Sequence, residues 1–545
     1  MNEKSVPKEN IQPAPCQEAC PAGIDVPRYI RCIKRGKFDE ALAVIRERIP
    51  FPSICGYACY SPCEVHCGNR QFGEPIAIRA LKRAAAEKGG ELWKKDLSVA
   101  PKTGKRVAVV GSGPSGLTAA YYLTILGHNV TVFEENEQPG GMMRTGIPEY
   151  RLPRETIDKE IDYLKELGLD LQTGRRAESI DQLLQEGFNA VYIGCGAQRG
   201  AKLGVVGDEL PGVMDGISFL KKVNVRQEVD VGDRVAVIGG GNTAMDAARS
   251  AIRLGAKDVT VKYRRSQSEM TAYEEEVGAA QYEGIKIEFL TTPAQITKKN
   301  GLLEVTFTRM KLGKPDASGR PAPVPIEGSE HKESYNTVIA AVGQMPDIPK
   351  SMGISSCEGL FIQSDPETLA TDKRGVYAGG DCVTGPASII EAIAHGRKAA
   401  SSIDKFLGGS GVIDQDIVPP EEEVVVMEYQ AEDQSRVSLP CIPLTERIIS
   451  FDAVELGLTE GRALKEAERC KSCDARQFEI DVDEEGCKEC GYCIEVCGLG
   501  VFEPADSFNK KGYRPVLAKS VKKCVGCMLC FYACPDFSIE VREAS

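Results

Sequence analysis

The stretch KRVAVVGSGPSGLTAAYYLTILGHNVTVFEE, residues 105–135, decides the architecture of this chain. A short apolar run reads as a buried strand, glycines follow as a turn, and an apolar helical pattern leads into a second strand. Gly111, Gly113 and Gly116 form G-x-G-x-x-G. The first glycine permits a tight turn, the second lets backbone N–H groups approach a pyrophosphate, and the third lets helix pack on strand. The helix N-terminus offers partial positive charge to phosphates. Glu134, closing the second strand, is placed to accept hydrogen bonds from a ribose. A glycine pattern alone is often an ordinary turn; strand, helix and acid in the right order make it a nucleotide site.

Downstream the unit recurs at 233–266, DRVAVIGGGNTAMDAARSAIRLGAKDVTVKYRRS, with Gly239, Gly241 and Ala244 as G-x-G-x-x-A. Two such units suggest one flavin (FAD) and one nicotinamide cofactor. Here Tyr263 takes the register of Glu134, and Arg264 and Arg265 follow. An absent ribose acid and arriving guanidinium groups favour a 2′-phosphate, hence NADP over NAD; the alternative is that both arginines are solvated strand-end charges. Next come VIAAVGQMPD and GVYAGGDCVTGPASIIEAIAHGRKAA. A strand entering Gly379-Gly380-Asp381 and then a helix resembles the return half of an FAD domain, where the aspartate meets the ribityl–pyrophosphate region. The order is then FAD half, nicotinamide insert, FAD half. No CxxC falls between residues 100 and 469, Cys195 and Cys382 stand alone, and the four histidines support an acid–base site poorly. The flavin's electrons need another outlet.

Cysteine supplies it. The chain of 545 residues holds 21 cysteines, of which all but Cys32, Cys195, Cys357, Cys382 and Cys441 fall into tight groups. With no export signal in MNEKSVPKENIQPAPC, the chain reads as cytoplasmic, where thiols stay reduced and grouped cysteines mean metal. The tail carries CKECGYCIEVC and CVGCMLCFYACP, each Cys-x2-Cys-x2-Cys-x3-Cys. In this bacterial ferredoxin run the fourth cysteine ligates the other cluster. Cys487, Cys490, Cys493 and Cys534 are therefore assigned to one [4Fe–4S] cluster, and Cys524, Cys527, Cys530 and Cys497 to a second. Zinc, the alternative, pairs CxxC knuckles across a longer loop. Gly498 stands where the run usually has proline after its fourth cysteine.

The N-terminal region adds Cys16 and Cys20 in APCQEACP, and Cys55, Cys59, Cys63 and Cys67 in SICGYACYSPCEVHC. Together with CPAGIDVPRYI, PIAIRALKR, VGSGPSGL, GGMMRTGIPEYRLP and IGGGNTAMDAAR, in this order, these residues resemble the glutamate synthase small-subunit family. That family includes the N-terminal half of dihydropyrimidine dehydrogenase and the large subunit of NADH-dependent ferredoxin:NADP oxidoreductase. The similarity runs over roughly residues 10–475 and implies FAD, NAD(P)H and two [4Fe–4S] clusters in a helical N-terminal domain. It also implies a cofactor contact at Gly141 of GGMMRTGIPEYRLP. The family usually carries a CxxC just before APCxxxCP, and this chain has none there; ERCKSC, with Cys470 and Cys473, resembles that piece moved to the far end. The family's interleaving then implies one cluster on Cys470, Cys473, Cys16 and Cys67, and another on Cys20, Cys59, Cys63 and a fourth group. Relatives often supply a Glu or Gln from the IAIRALKR helix, but Lys82 and Arg83 are cations; Cys55 is the substitute, ahead of Glu64 or Glu74. The alternative leaves Cys470 and Cys473 as spare thiols or zinc ligands.

These readings predict a multidomain protein: an α-helical iron–sulfur domain at 1–100, two Rossmann-like α/β dinucleotide-binding domains, and an α+β ferredoxin-like domain at 476–545. The FAD domain occupies 101–230 and 339–410, the NAD(P) insert 231–338, and an extended connector 411–475 ends in the CxxC. A net charge of −12 with interspersed signs argues against nucleic acid, and no apolar run spans a bilayer. The expected function is an NAD(P)H oxidoreductase subunit carrying FAD and four [4Fe–4S] clusters, passing electrons to other subunits or a ferredoxin. The alternatives are a glutamate synthase small subunit serving a glutamine-dependent partner, and a non-catalytic redox scaffold or sensor.

Overall fold

The computed structural model describes residues 3–317, 319–357, 360–427 and 435–544. The chain divides into two compact units. Unit 1 comprises Met1–Ser98, Asp414–Pro440 and Gly457–Ser545; unit 2 comprises Val99–Ile413 and Cys441–Leu456.

Unit 2 is built on two parallel sheets, as strand–glycine–helix alternation requires. In the first, Arg106–Val110 is central, flanked by Asn129–Phe133 then Asp170–Gln172 on one side, and by Ala190–Ile193 then Val376–Ala378 on the other. The strand order reverses at the central strand, so its C-terminal end is a switch point with room for a ligand. The return helix Ile389–Phe406 packs on Pro114–Ile125 through Gly396, whose added Cβ would lie 2.4 Å from the Ser115 carbonyl oxygen. The second sheet repeats the plan around Arg234–Ile238, in the order Lys286–Glu288, Asp258–Lys262, Arg234–Ile238, Thr337–Ala340, Val213–Asp215. The domain boundary drawn at 231 thus cuts this sheet, since Val213–Asp215 joins it from upstream. That strand is three residues of mixed polarity, too short for a hydrophobic pattern to betray it. An antiparallel sheet, Thr291–Lys299, Leu302–Pro315, Pro321–Pro325 and His331–Tyr335, completes the insert.

Unit 1 joins distant parts of the chain. The helices Val26–Lys34, Phe38–Arg46, Pro52–Ala58 and Ile78–Lys88 pack through a buried core that includes Tyr29, Ile33, Val44, Ile54 and Leu81. The helix Glu460–Glu468 lies against Val26–Lys34 and Ile78–Lys88. Glu3–Pro7 is a strand, paired antiparallel with Glu423–Met427. The connector is therefore not one extended link: residues 414–427 bind the helical domain, Cys441–Leu456 belongs to unit 2, and 428–434 lie outside the described residues. The tail is α+β, with Phe478–Val482 against Ile539–Glu543, Phe502–Pro504 against Val516–Ala518, and short helices Tyr492–Val496 and Leu529–Ala533. Among the described residues no helix is long and apolar enough to cross a membrane.

Candidate functional site

At the first switch point Gly111 has φ +99°, and an added Cβ would meet the Gly194 oxygen at 2.6 Å. Gly116 is packed so tightly that a Cβ would lie 2.0 Å from the Gly111 oxygen. Gly113 differs: its φ of −72° suits any residue, and a Cβ there would point into open space. A glycine demanded neither by backbone nor by packing leaves a cradle where a pyrophosphate can approach the helix N-terminus. Gly141, at φ +51°, closes the other side, its Cβ position 2.7 Å from Gly113 Cα. Glu134 is buried, and its oxygens accept from Ser112 N (3.0 Å), Ser112 Oγ (2.5 Å), Asn136 N (2.8 Å) and Asn136 Nδ2 (2.6 Å). The acid thus fixes the glycine turn at the position expected of a ribose acceptor. Gly380, at φ +73°, abuts Ser115, and the Asp381 carboxylate accepts from Ala387 N at 3.3 Å. Burial raises the Asp381 pKa to about 6. The residues fit a flavin nucleotide.

In the second sheet Gly239 has φ +149° and sits against the Ala341 oxygen, and Ala244 is fully buried in the first turn of the helix Asn242–Arg253. Gly241, with an extended φ of −102°, would carry a Cβ 3.3 Å from Thr271 Oγ1. The Tyr263 ring fills the place of the missing acid, packed on Gly240, its hydroxyl donating to the Glu269 carbonyl at 2.6 Å. The two arginines part company. Arg264 is exposed at the strand end, whereas Arg265 is 2% exposed and bound to Asp316 (2.5 Å) and the Pro321 carbonyl (2.9 Å). Arg265 is thereby withdrawn from the expected phosphate clamp, and Asp316, which draws it away, stands 51 residues on in a hairpin that strand periodicity does not reveal.

Cys195 and Cys382 stand alone in sequence yet are near neighbours in space. They follow the adjacent parallel strands Ala190–Ile193 and Val376–Ala378, and each thiol shifts the titration of the other. Cys382 is buried, and its thiol donates to the Gly379 carbonyl at 3.3 Å.

The grouped cysteines of unit 1 converge. In the tail, one cavity is lined by Cys487, Cys490, Cys493 and Cys534, and another by Cys497, Cys524, Cys527 and Cys530. In the helical domain, the half-buried Cys16 has Cys67, Cys473, Cys470 and Cys63 as electrostatic neighbours, which add to desolvation in pushing its pKa up. The Lys82 ammonium, 2% exposed, has Cys59, Cys55, Cys63 and Cys20 around it. Burial alone would lower its pKa, and the four sulfurs more than offset this. Glu64 and Glu74 are otherwise engaged: Glu64 accepts from Arg79 N (2.8 Å) and pairs with Arg436 (2.7 Å), and Glu74 accepts from Arg436 N (3.0 Å). Arg83 stacks on Tyr57 and pairs with Glu87. Among the described residues no three His, Cys, Asp or Glu side chains close on one point as the ligands of a single ion do. The tail sulfurs instead line cavities, as suits a polynuclear group. Lys82 is the residue the sequence reading passed over, having set it aside as unable to ligate; its signal is a cation on the apolar face formed by Ile78, Leu81 and Ala85.

Residues 105–396 match the pyridine nucleotide-disulphide oxidoreductase family, more than half of the chain. The chain belongs to this family. Residues 10–92 match dihydropyrimidine dehydrogenase domain II, 4Fe-4S cluster, and residues 486–538 match the 4Fe-4S dicluster domain. The NADP(+)-dependent formate dehydrogenase subunit beta of Moorella thermoacetica is 39% identical, over 84% of this chain and 70% of that protein. The NADPH-Fe(3+) oxidoreductase subunit beta of Geobacter sulfurreducens is 35% identical, over 84% and 75%. The glutamate synthase [NADPH] small chain of Escherichia coli is 32% identical, over 72% and 88%, which bears out the resemblance drawn from the motifs. This family member is a flavin- and iron–sulfur-dependent NAD(P)H oxidoreductase.

Proposed function

We propose that the chain is the NADPH-oxidising subunit of a larger cytoplasmic oxidoreductase, carrying FAD and four [4Fe–4S] clusters and delivering electrons to partner subunits or a ferredoxin. What supports this reading is the pair of tail cavities, each lined by four cysteines, together with the N-terminal cysteines and Cys470 and Cys473 that lie about Cys16 and Lys82. FAD, when bound, supplies the exchange between two-electron chemistry with NAD(P)H and one-electron chemistry with iron–sulfur clusters. The chain's own part is to bind and orient. Gly111, Gly113, Gly116 and Gly141 shape the pyrophosphate cradle, Glu134 fixes its turn, and Gly380 and Asp381 close the far side. Gly239, Gly241 and Ala244 form the corresponding nicotinamide cradle, with the exposed Arg264 at the end of the following strand as the cation for a 2′-phosphate. One cluster is assigned to Cys16, Cys67, Cys470 and Cys473, another to Cys20, Cys55, Cys59 and Cys63; the tail holds the two sets that line its cavities.

Support for NADP comes from the three relatives, each named for it, and support for partner subunits from the two that are beta subunits. A glutamate synthase role is less well supported, because that relative leaves over a quarter of this chain unmatched. The cytoplasmic placement rests on the reduced thiols that cluster ligation requires. Anaerobic isolation tests the whole reading: about sixteen irons per chain, bleaching of the flavin by NADPH, and co-purifying redox subunits are expected. A flavin that NADPH does not bleach would overturn it.

A further inference from the structure

The turn Gly68–Gln71 follows Cys67 and reaches toward the tail. A Cβ built on Gly68 would lie 3.0 Å from the Cys473 sulfur and 2.7 Å from Cγ1 of Val525, which sits between Cys524 and Cys527. Two cysteine-bearing loops thus meet across a glycine. Three residues on, the half-buried Gln71 lines the cavity of Cys497, Cys524, Cys527 and Cys530. The Cys527 sulfur is 4.0 Å from Gln71 Oε1, and Gly498, beside Cys497, passes so near that a Cβ there would stand 2.7 Å from Gln71 Nε2.

We propose that Gln71 is a positioning residue of the helical domain that hydrogen-bonds a cluster thiolate of the tail, across the joint formed by Gly68 and Val525. This rests on the reading of the tail cysteines as iron ligands. As a thiol, Cys527 donates to the Gln71 oxygen; as an iron ligand it is a thiolate and only accepts. The carboxamide then presents its N–H, an exchange of oxygen and nitrogen within the same envelope. An N–H donor at a cluster sulfur stabilises the more negative, reduced state and raises the potential. Leucine removes the donor, and glutamate replaces it with negative charge, so the midpoint falls in the order Gln, Leu, Glu.

The experiment is an EPR-monitored redox titration of the full-length, cluster-loaded protein with Gln71→Leu and Gln71→Glu. One centre should move to lower potential, further in the glutamate variant, with iron content and the other centres unchanged. Should the leucine variant lose iron, the near-isosteric glutamate variant carries the test alone. Unmoved midpoints at full iron content overturn the role of Gln71. A Cys527→Ser variant separates the two failures: native iron content and an unaltered spectrum there would refute the cluster reading itself.

Discussion

Lys82 carries a positive charge into a place where a hydrocarbon side chain would otherwise pack, and four cysteine sulfurs are among its electrostatic neighbours. A buried cation is costly unless something anionic compensates it. On the proposed assignment the compensation is the thiolate-bound cluster, so Lys82→Met should lower that cluster's midpoint while leaving iron content near the native value. Potentiometric EPR checks this, and an unshifted midpoint would mean the charge is neutralised elsewhere. At the nicotinamide site, Arg264→Ala should raise the KM for NADPH about tenfold, the loss expected for one charge-assisted phosphate contact, and leave NADH unaffected. Arg265→Ala should act on thermal stability instead, since its guanidinium is tied to Asp316 and Pro321. Spacing made the grouping of the tail cysteines legible, because a local run sets which thiols can share a cavity. Arg265 and the Cys195–Cys382 proximity were not, because each depends on strands brought side by side from far apart in sequence.

Between the two sheets of unit 2, the segment holding Tyr150 and Arg151 is seated on the helix Asn242–Arg253. Arg151 pairs with Asp246 (2.7 Å) and Glu276 (2.8 Å), and Arg253 stacks 3.9 Å from the Tyr150 ring. Glu283 anchors this element, accepting from Arg249 (2.9 Å) and Arg253 (2.7 Å) in a buried cluster. Burial would raise its pKa, but the hydrogen bonds from Arg253 and Arg249 outweigh that and hold it below the ordinary value. A depressed folded pKa stabilises above the unfolded value, about 4.3, and the contribution disappears as pH falls through the folded value. Glu283→Gln should therefore cost about 3–5 kcal/mol at neutral pH, with the difference shrinking below about pH 4.3. Native-state hydrogen exchange of the helix reads this directly; equal protection at pH 7 would show that the arginines find other partners. At the joint in unit 1, Gly68→Val should force the Cys67 and Val525 loops apart, visible as lost magnetic broadening between neighbouring reduced centres, because its first carbon already overlaps Val525. The glycine turns and their helices were readable from periodicity. The strand Glu3–Pro7 was not: its residues carry no apolar alternation, and Glu423–Met427 makes it a strand.

At the scale of the molecule, unit 1 is sewn from both ends of the chain. Arg31 in the helical domain pairs with Asp474 (2.8 Å) and Glu421 (2.7 Å), and Glu466 accepts from Ala77 N (2.8 Å). Cys470→Ser with Cys473→Ser should remove about four irons of sixteen and loosen this seam; unchanged iron content would mean these thiols are not ligands. Domain types were legible because each has its own sequence grammar, whereas the seam was inferred only from counting ligands. The seam also sets a timetable for manufacture. More than 450 residues separate Cys16 from Cys473. At a translation rate of about 5–20 residues per second, the first half of that cysteine set waits roughly 20 to 90 s for the second. During that interval the nucleotide-binding unit, whose last segment Cys441–Leu456 precedes Cys470, can fold while Cys16 and Cys67 remain open thiols on a ribosome-bound chain. On the proposed ligand assignment, insertion of that iron is a late step, and a nascent chain stalled before residue 470 should take up flavin but not a full complement of metal.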